Sequence, residues 1–136
     1  MKSKKGLTLI ELTVVLAILA IIAAILVPTF LITTDRARLR GDIQTARIIQ
    51  NAIELYTVER GGLPGGTNAT IGARIIDLYE AGYLPRRTIY TQTRGASWVW
   101  DSTRGVRVDI SGTNVSAGVR RAFENLTDEE RAMVSN

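Results

Sequence analysis

Glu11 is the one carboxylate among the first 34 residues, and it stands immediately before 23 consecutive residues without formal charge, Leu12 to Thr34. Acid chemistry at such a place is ion-pair chemistry. An ionised carboxylate at the centre of a bilayer costs on the order of 2.5 to 3.5 kcal/mol on insertion scales, so it needs a cation or a position at the headgroup level. Positions i+3 and i+4 from Glu11 hold Val14 and Val15, which leaves Lys4 and Lys5 in the polar leader as local partners.

Other chemistries are thin. The chain has no Cys and no His, which removes disulfides, zinc fingers, thiol nucleophiles and imidazole acid/base catalysis. The stretch Gly61-Gly62-Leu63-Pro64-Gly65-Gly66-Thr67 lacks the G-K-[ST] ending of a phosphate loop and has no strand before it, so it reads as a connecting loop. Asp109-x-Ser111-x-Thr113 places oxygens at alternate positions, yet a single carboxylate is a poor calcium site. The serines have no base beside them. We expect no catalytic residue, no metal and no cofactor; the chain reads as a non-enzyme.

All three lysines lie in the first five residues, and every other cation is one of 14 arginines set against 13 acidic residues. Beyond the leader the charge is nearly balanced, so a nucleic-acid partner is not expected.

These residues have to be positioned by a few elements. The run Leu12–Thr34 exceeds the roughly 20 apolar residues that cross a bilayer as a helix. Pro28 falls inside it, removing an amide donor and crowding the carbonyl of Ala24, so a kink or local melting is expected there. Leu39, Ile43, Ala46, Ile49, Ile53 and Tyr56 then recur every three or four residues, the stripe of a continuing helix that Gly61-Gly62 ends. A rod from Thr8 to Arg60 would be about 80 Å long. The charges Asp35, Arg36, Arg38, Arg40, Asp42 and Arg47 at the junction read as a solvated band. Gly41 weakens the rod there and is a candidate bend.

Past the loop, Ile71, Ile75 and Leu78 share the face of a short helix that Gly82 stops. Ser97–Trp100 and Val106–Ile110 alternate around a turn and predict an antiparallel hairpin, with Trp98 and Trp100 packing into a core; a carbohydrate-binding pair of tryptophans is the alternative. Thr88–Thr91 is a candidate third strand. The tail is helix-like, and Thr127 with Glu130 matches a capping box.

Lys4-Lys5-Gly6 followed by Leu7-Thr8-Leu9-Ile10-Glu11 and the long apolar run resembles the leader and N-terminal helix of type IV pilins and of the related pseudopilins of type II secretion. Pro28 stands where that family often breaks its helix. The resemblance implies a prepilin peptidase that cuts Gly6-Leu7 on the cytoplasmic side and methylates the new amine of Leu7, a position where Phe or Met is commoner. It orients the chain with the leader inside and the head outside. In a filament, the Glu11 carboxylate of one subunit would pair with the terminal amine of a neighbour. Leaving one partner of a buried pair alone costs roughly 3 to 5 kcal/mol, so such a pair selects the axial register.

The expected organisation is an α+β chain: a leader at 1–6, a transmembrane and filament-core helix at 7–34, its amphipathic continuation at 35–62, and an extracytoplasmic head at 63–136. The head is expected to hold a small antiparallel sheet and short extra helices. The expected function is a structural subunit that polymerises with itself into a helical pilus, served by the peptidase, an assembly ATPase and a platform membrane protein. It would lie in the inner membrane as a precursor and in a surface or envelope-spanning filament once assembled. A pseudopilin of type II secretion, a competence filament and a non-polymerising anchored binding domain are the alternatives.

Overall fold

The computed structural model describes residue 6 and residues 8–136; Lys4, Lys5 and Leu7 lie outside the described residues. Helix α1 runs from Leu9 to Arg60, 52 residues and about 78 Å at 1.5 Å per residue. Thr8 caps its start, and Gly61 ends it in the left-handed region with φ 75°, its N–H donating to the Thr57 carbonyl. This conformation suits a residue without Cβ. The helix continues through Pro28 without interruption, so the expected local melting is not present in the isolated chain. Nearby hydroxyls turn onto the backbone: Thr29 Oγ1 donates to the Ile25 carbonyl at 3.1 Å and Thr33 Oγ1 to that of Thr29 at 2.9 Å. In an apolar surround those hydroxyls need no water.

The two halves of α1 differ completely in cover. Every residue from 8 to 33 is exposed, whereas Leu39, Ile43, Ala46, Ile49 and Ile53 are at most 2% exposed. The predicted stripe is therefore the helix's contribution to the core, with Tyr56 partly buried at its far end. It meets Leu78, Val106, Val108, Ile110 and Val119 in one cluster. Burying each large aliphatic side chain is worth about 1.5–3 kcal/mol, which is what holds the head on the rod.

Helix α2, Ile71–Glu80, starts at Thr70, whose side chain accepts from the Ala73 N–H. It ends at Gly82, φ 84°, where Tyr83 N donates to the Leu78 carbonyl and Gly82 N to that of Tyr79. That pair of bonds is the Schellman arrangement, and it explains the glycine stop. Arg74 on α2 has no exposed surface and no ion-pair partner among the described residues. Its guanidinium donates to the carbonyls of Pro64 and Thr67 at 2.9 and 3.0 Å and lies 4.5 Å from the Trp100 ring centroid. The glycine-rich loop is thus tied down by a buried cation, whose pKa desolvation lowers.

Strands β1, Ser97–Asp101, and β2, Gly105–Asp109, pair antiparallel, with Trp98 opposite Val108 and Trp100 opposite Val106. Both tryptophans pack partly buried against the core, and Trp98 Nε1 donates to the Ile89 carbonyl at 2.8 Å. The third strand is not Thr88–Thr91. It is β3, Val134–Ser135, which pairs parallel with β2 and makes the sheet mixed instead of antiparallel, in the order β1-β2-β3. Residues 88–91 are occupied otherwise: Ile89 receives Trp98, and Thr91 Oγ1 donates to the Ala96 carbonyl. A parallel pairing needs a crossover, and helices α3, Ala117–Glu124, and α4, Asp128–Ala132, provide it. The predicted capping box at Thr127 and Glu130 starts α4. The fold is α+β.

Candidate assembly site

Gly6 is exposed and outside any regular element, and Thr8 is extended at φ −75°, ψ 152°. The peptide expected to be cut, Gly6-Leu7, therefore lies ahead of α1. Among the described residues nothing stands within 4 Å of where a Cβ on Gly6 would sit. Leu7, the expected site of methylation, is outside the described residues.

Glu11 sits in the first turn of α1 and closes a capping box with Thr8. Its Oε2 accepts from Thr8 N and from Thr8 Oγ1, both at 2.8 Å, while its own N–H donates to Thr8 Oγ1 at 3.3 Å. Oε1 takes no hydrogen bond among the described residues. The anticipated lysines, Lys4 and Lys5, lie outside the described residues; the partner found among the described residues is a threonine three residues back. The signal was present in the sequence as T-x-x-E ahead of an apolar run. Chemically the arrangement leaves the carboxylate half satisfied among the described residues: one oxygen caps its own helix, where the helix dipole favours negative charge, and one takes no hydrogen bond. Around it Ile10, Val14 and Val15 form an open apolar groove.

Pro28 lies 17 positions further on, inside the uncovered part of α1 and away from the Glu11 turn. Phe30 beside it is 71% exposed. α1 is long and apolar enough to cross a membrane, and the apolar window of it is wholly uncovered by the rest of the chain.

At the foot of the head the charges are not the solvated band expected from sequence. Asp42 is 1% exposed, its Oδ1 accepting from Gln92 N at 2.7 Å and its Oδ2 from Thr93 N at 2.8 Å. Two backbone N–H groups satisfy the carboxylate, which is why a buried acid without a cation is tolerated. Asp35 Oδ2 accepts from Ser116 Oγ, the N-cap of α3, at 3.1 Å, and Arg36 donates to the Asn125 carbonyl at the other end of α3 at 3.3 Å. Arg40 Nε lies 3.1 Å from Glu130 Oε1. The capping bond from Thr127 N and then the Arg40 charge hold Glu130 below the usual glutamate range. Four charges of the band thus fasten α3, α4 and the 92–93 turn to α1. Arg38 stays exposed, as the band reading had it. Asp109 accepts from the Ser111 N–H at 2.9 Å, a local turn.

The family of the prokaryotic N-terminal methylation motif matches residues 1–27. A fimbrial protein of Neisseria meningitidis serogroup B is 36% identical over 137 aligned positions, covering 98% of this chain and 80% of the relative. Prepilin peptidase-dependent protein A of Clostridium perfringens is 41% identical over 68 residues, covering 50% of this chain and 49% of that protein. The type IV narrow pilus major component of Thermus thermophilus is 42% identical over 60 residues, covering 44% of this chain and 52% of the relative. The alignments with the latter two span about half the length of those relatives. No solved structure matches the chain.

Proposed function

The chain belongs to the type IV pilin and pseudopilin family, and from that premise we propose that it is a structural subunit that is cut at Gly6-Leu7, methylated at Leu7 and polymerised with itself into a helical pilus. One observation carries this reading. The subunit leaves the whole apolar half of α1 bare, with Leu9 81%, Ile25 66% and Phe30 71% exposed. Apolar surface on that scale is stable only when lipid or another apolar surface covers it. Lipid covers it in the precursor, with residues 7–34 in the inner membrane and residues 63–136 outside; copies of the same helix cover it in the filament.

Glu11 selects the register. Its Oε1, which takes no hydrogen bond among the described residues, accepts the methylated amine of Leu7 on a neighbouring copy, while Oε2 keeps capping the helix. A subunit out of step strands both charges in an apolar surround, at roughly 3 to 5 kcal/mol. The work of cutting and lifting the subunits falls to partners: the prepilin peptidase, an assembly ATPase and a platform protein. The names of the fimbrial and pilus relatives favour a pilus over a secretion pseudopilus.

The test has two readouts on native cells. Intact mass of the membrane-extracted protein should lack Met1 to Gly6 and carry one added methyl group; retention of the leader would make it an anchored domain instead. Sheared filament yield should collapse for Glu11→Ala while the mass still shows the cut. Unchanged yield and fibre robustness would remove Glu11 from assembly.

A further inference from the structure

Helix α3 meets α1 at the point where the apolar segment ends. Thr34 is the last residue of the uncharged run, and the next two, Asp35 and Arg36, hold opposite ends of α3 through Ser116 and the Asn125 carbonyl. Gly118 packs directly on Asp35: a Cβ there would collide with its carboxylate. Both ends of α3 are therefore fixed at the level of the first turn beyond the bilayer's hydrocarbon. Hydrocarbon core and total bilayer thickness differ by about 10 to 15 Å, so each headgroup layer is about 5 to 8 Å deep. At about 1.5 Å per residue, positions 35 to 39 of α1 fill that layer. α3 thus sits among the headgroups whenever residues 12–34 occupy the membrane.

The buried face of α3 is spent on the core through Val119 and Ala122, and its exposed positions are Ala117, Arg120, Arg121 and Glu124. Arg38, two positions past Arg36 on α1, is also exposed. None of Arg38, Arg120 and Arg121 has a carboxylate partner among the described residues. The nearby acids are differently placed: Asp35 accepts from Ser116, Asp128 pairs with Arg131, and Glu130 pairs with Arg40. Glu124 and Glu129 are exposed acids on α3 and α4 that remain to oppose them. An arginine near an anionic bilayer surface gains about 1 kcal/mol through its charge.

We infer that Arg120 and Arg121 of α3, with Arg38 of α1, form a collar that binds the phosphates of anionic phospholipids while the subunit is stored in the membrane. The contact fixes the head against the bilayer surface, and it has to be released when a subunit is lifted into a filament. It rests on the membrane-stored precursor of the preceding reading and not on polymerisation.

The experiment uses the full chain in nanodiscs of phosphatidylcholine, with or without phosphatidylglycerol, and reads hydrogen exchange at the α3 amides. Phosphatidylglycerol should slow α3 exchange, and Arg120→Gln and Arg121→Gln should each remove about fivefold of that slowing, the equivalent of about 1 kcal/mol. Arg120→Lys with Arg121→Lys should keep most of it, because charge is retained, and Arg104→Gln on the distant hairpin turn should change nothing. Equal exchange in the two kinds of disc overturns the collar. So does slowing by inorganic phosphate over phosphatidylcholine, which would make free phosphate the ligand, or loss of the effect in the lysine pair. A chain that fails to enter discs at all overturns the membrane reading instead.

Discussion

Replacing Asp42 by Ala should be the most damaging single change at the junction of rod and head. The carboxylate is 1% exposed and receives two N–H bonds, from Gln92 at 2.7 Å and Thr93 at 2.8 Å. Each bond to an ionised acceptor is worth about 1.5–3 kcal/mol. Removing both gives a gross loss of about 3–6 kcal/mol, partly offset because a buried charge no longer has to be desolvated. A net loss of about 3 kcal/mol follows, since the Thr93 N–H is left in the core without an acceptor. Asp42→Asn keeps one carbonyl oxygen but turns an NH2 toward the second N–H, so it should lose about 2 kcal/mol. The assay is urea unfolding of the full chain in detergent micelles, followed by the fluorescence of Trp98 and Trp100. Those rings pack against the same core, so they report its loss directly. For a head of this size, 3 kcal/mol lowers the melting temperature by about 12 to 24 °C. Arg38→Ala, an exposed neighbour, serves as the control. A loss below about 1 kcal/mol for Asp42→Ala, or a loss no larger than that of Arg38→Ala, would refute the claim that buried N–H satisfaction fastens the head.

Acid should loosen the tail first. Glu130 is held below the usual glutamate range by Thr127 N and Arg40, so its contribution is fully present above the unfolded-state value and is lost as pH falls through the lower folded-state one. Unfolding curves taken down that acid window should show a step that Glu130→Gln lacks; identical curves would count against the link. Gly95→Ala should destabilise by at least about 1 to 3 kcal/mol. Its φ is 80° and an added Cβ would lie 2.6 Å from the Asn114 carbonyl oxygen, a backbone atom unable to step aside; unfolding that matches the natural chain disproves the clash. Pro28→Ala restores the amide donor facing the Ala24 carbonyl and stiffens α1, so filament yield should fall while mass still shows the cut at Gly6-Leu7. Filaments in normal number would leave Pro28 without a part in assembly.

Which parts of the molecule were readable in one dimension follows from the range of the forces involved. The stripe from Leu39 to Ile53, the glycine stops at Gly61 and Gly82, the hairpin around Asp101–Gly105 and the capping box of α4 all arise from residues within a few positions of one another. Each was visible as a period or a spacing. The capping box of Thr8 and Glu11 belongs to the same class, a T-x-x-E spacing masked by the more conspicuous need of a charge beside an apolar run for a cation or a headgroup position. Asp42 was different. Its neighbours Arg38, Arg40 and Arg47 made it look like one member of a solvated row, and its acceptor role depends on backbone N–H groups 50 and 51 positions away.

The same division separates the determinants of this protein. Its amino-acid order alone determined that the Gly6-Leu7 junction, a carboxylate at Glu11 and an apolar run long enough to cross a bilayer follow one another, since those are matters of local spacing and of hydropathy summed along one rod. Only the folded chain decided that β3 and not Thr88–Thr91 completes the sheet, that Arg74 anchors the glycine-rich loop, and that Asp35 and Arg36 hold the two ends of α3 against α1. Those pairings join residues from 7 to 89 positions apart. Most exist because burying the hydrophobic stripe of α1 first brings their backbones within hydrogen-bonding reach, a condition that no local pattern encodes.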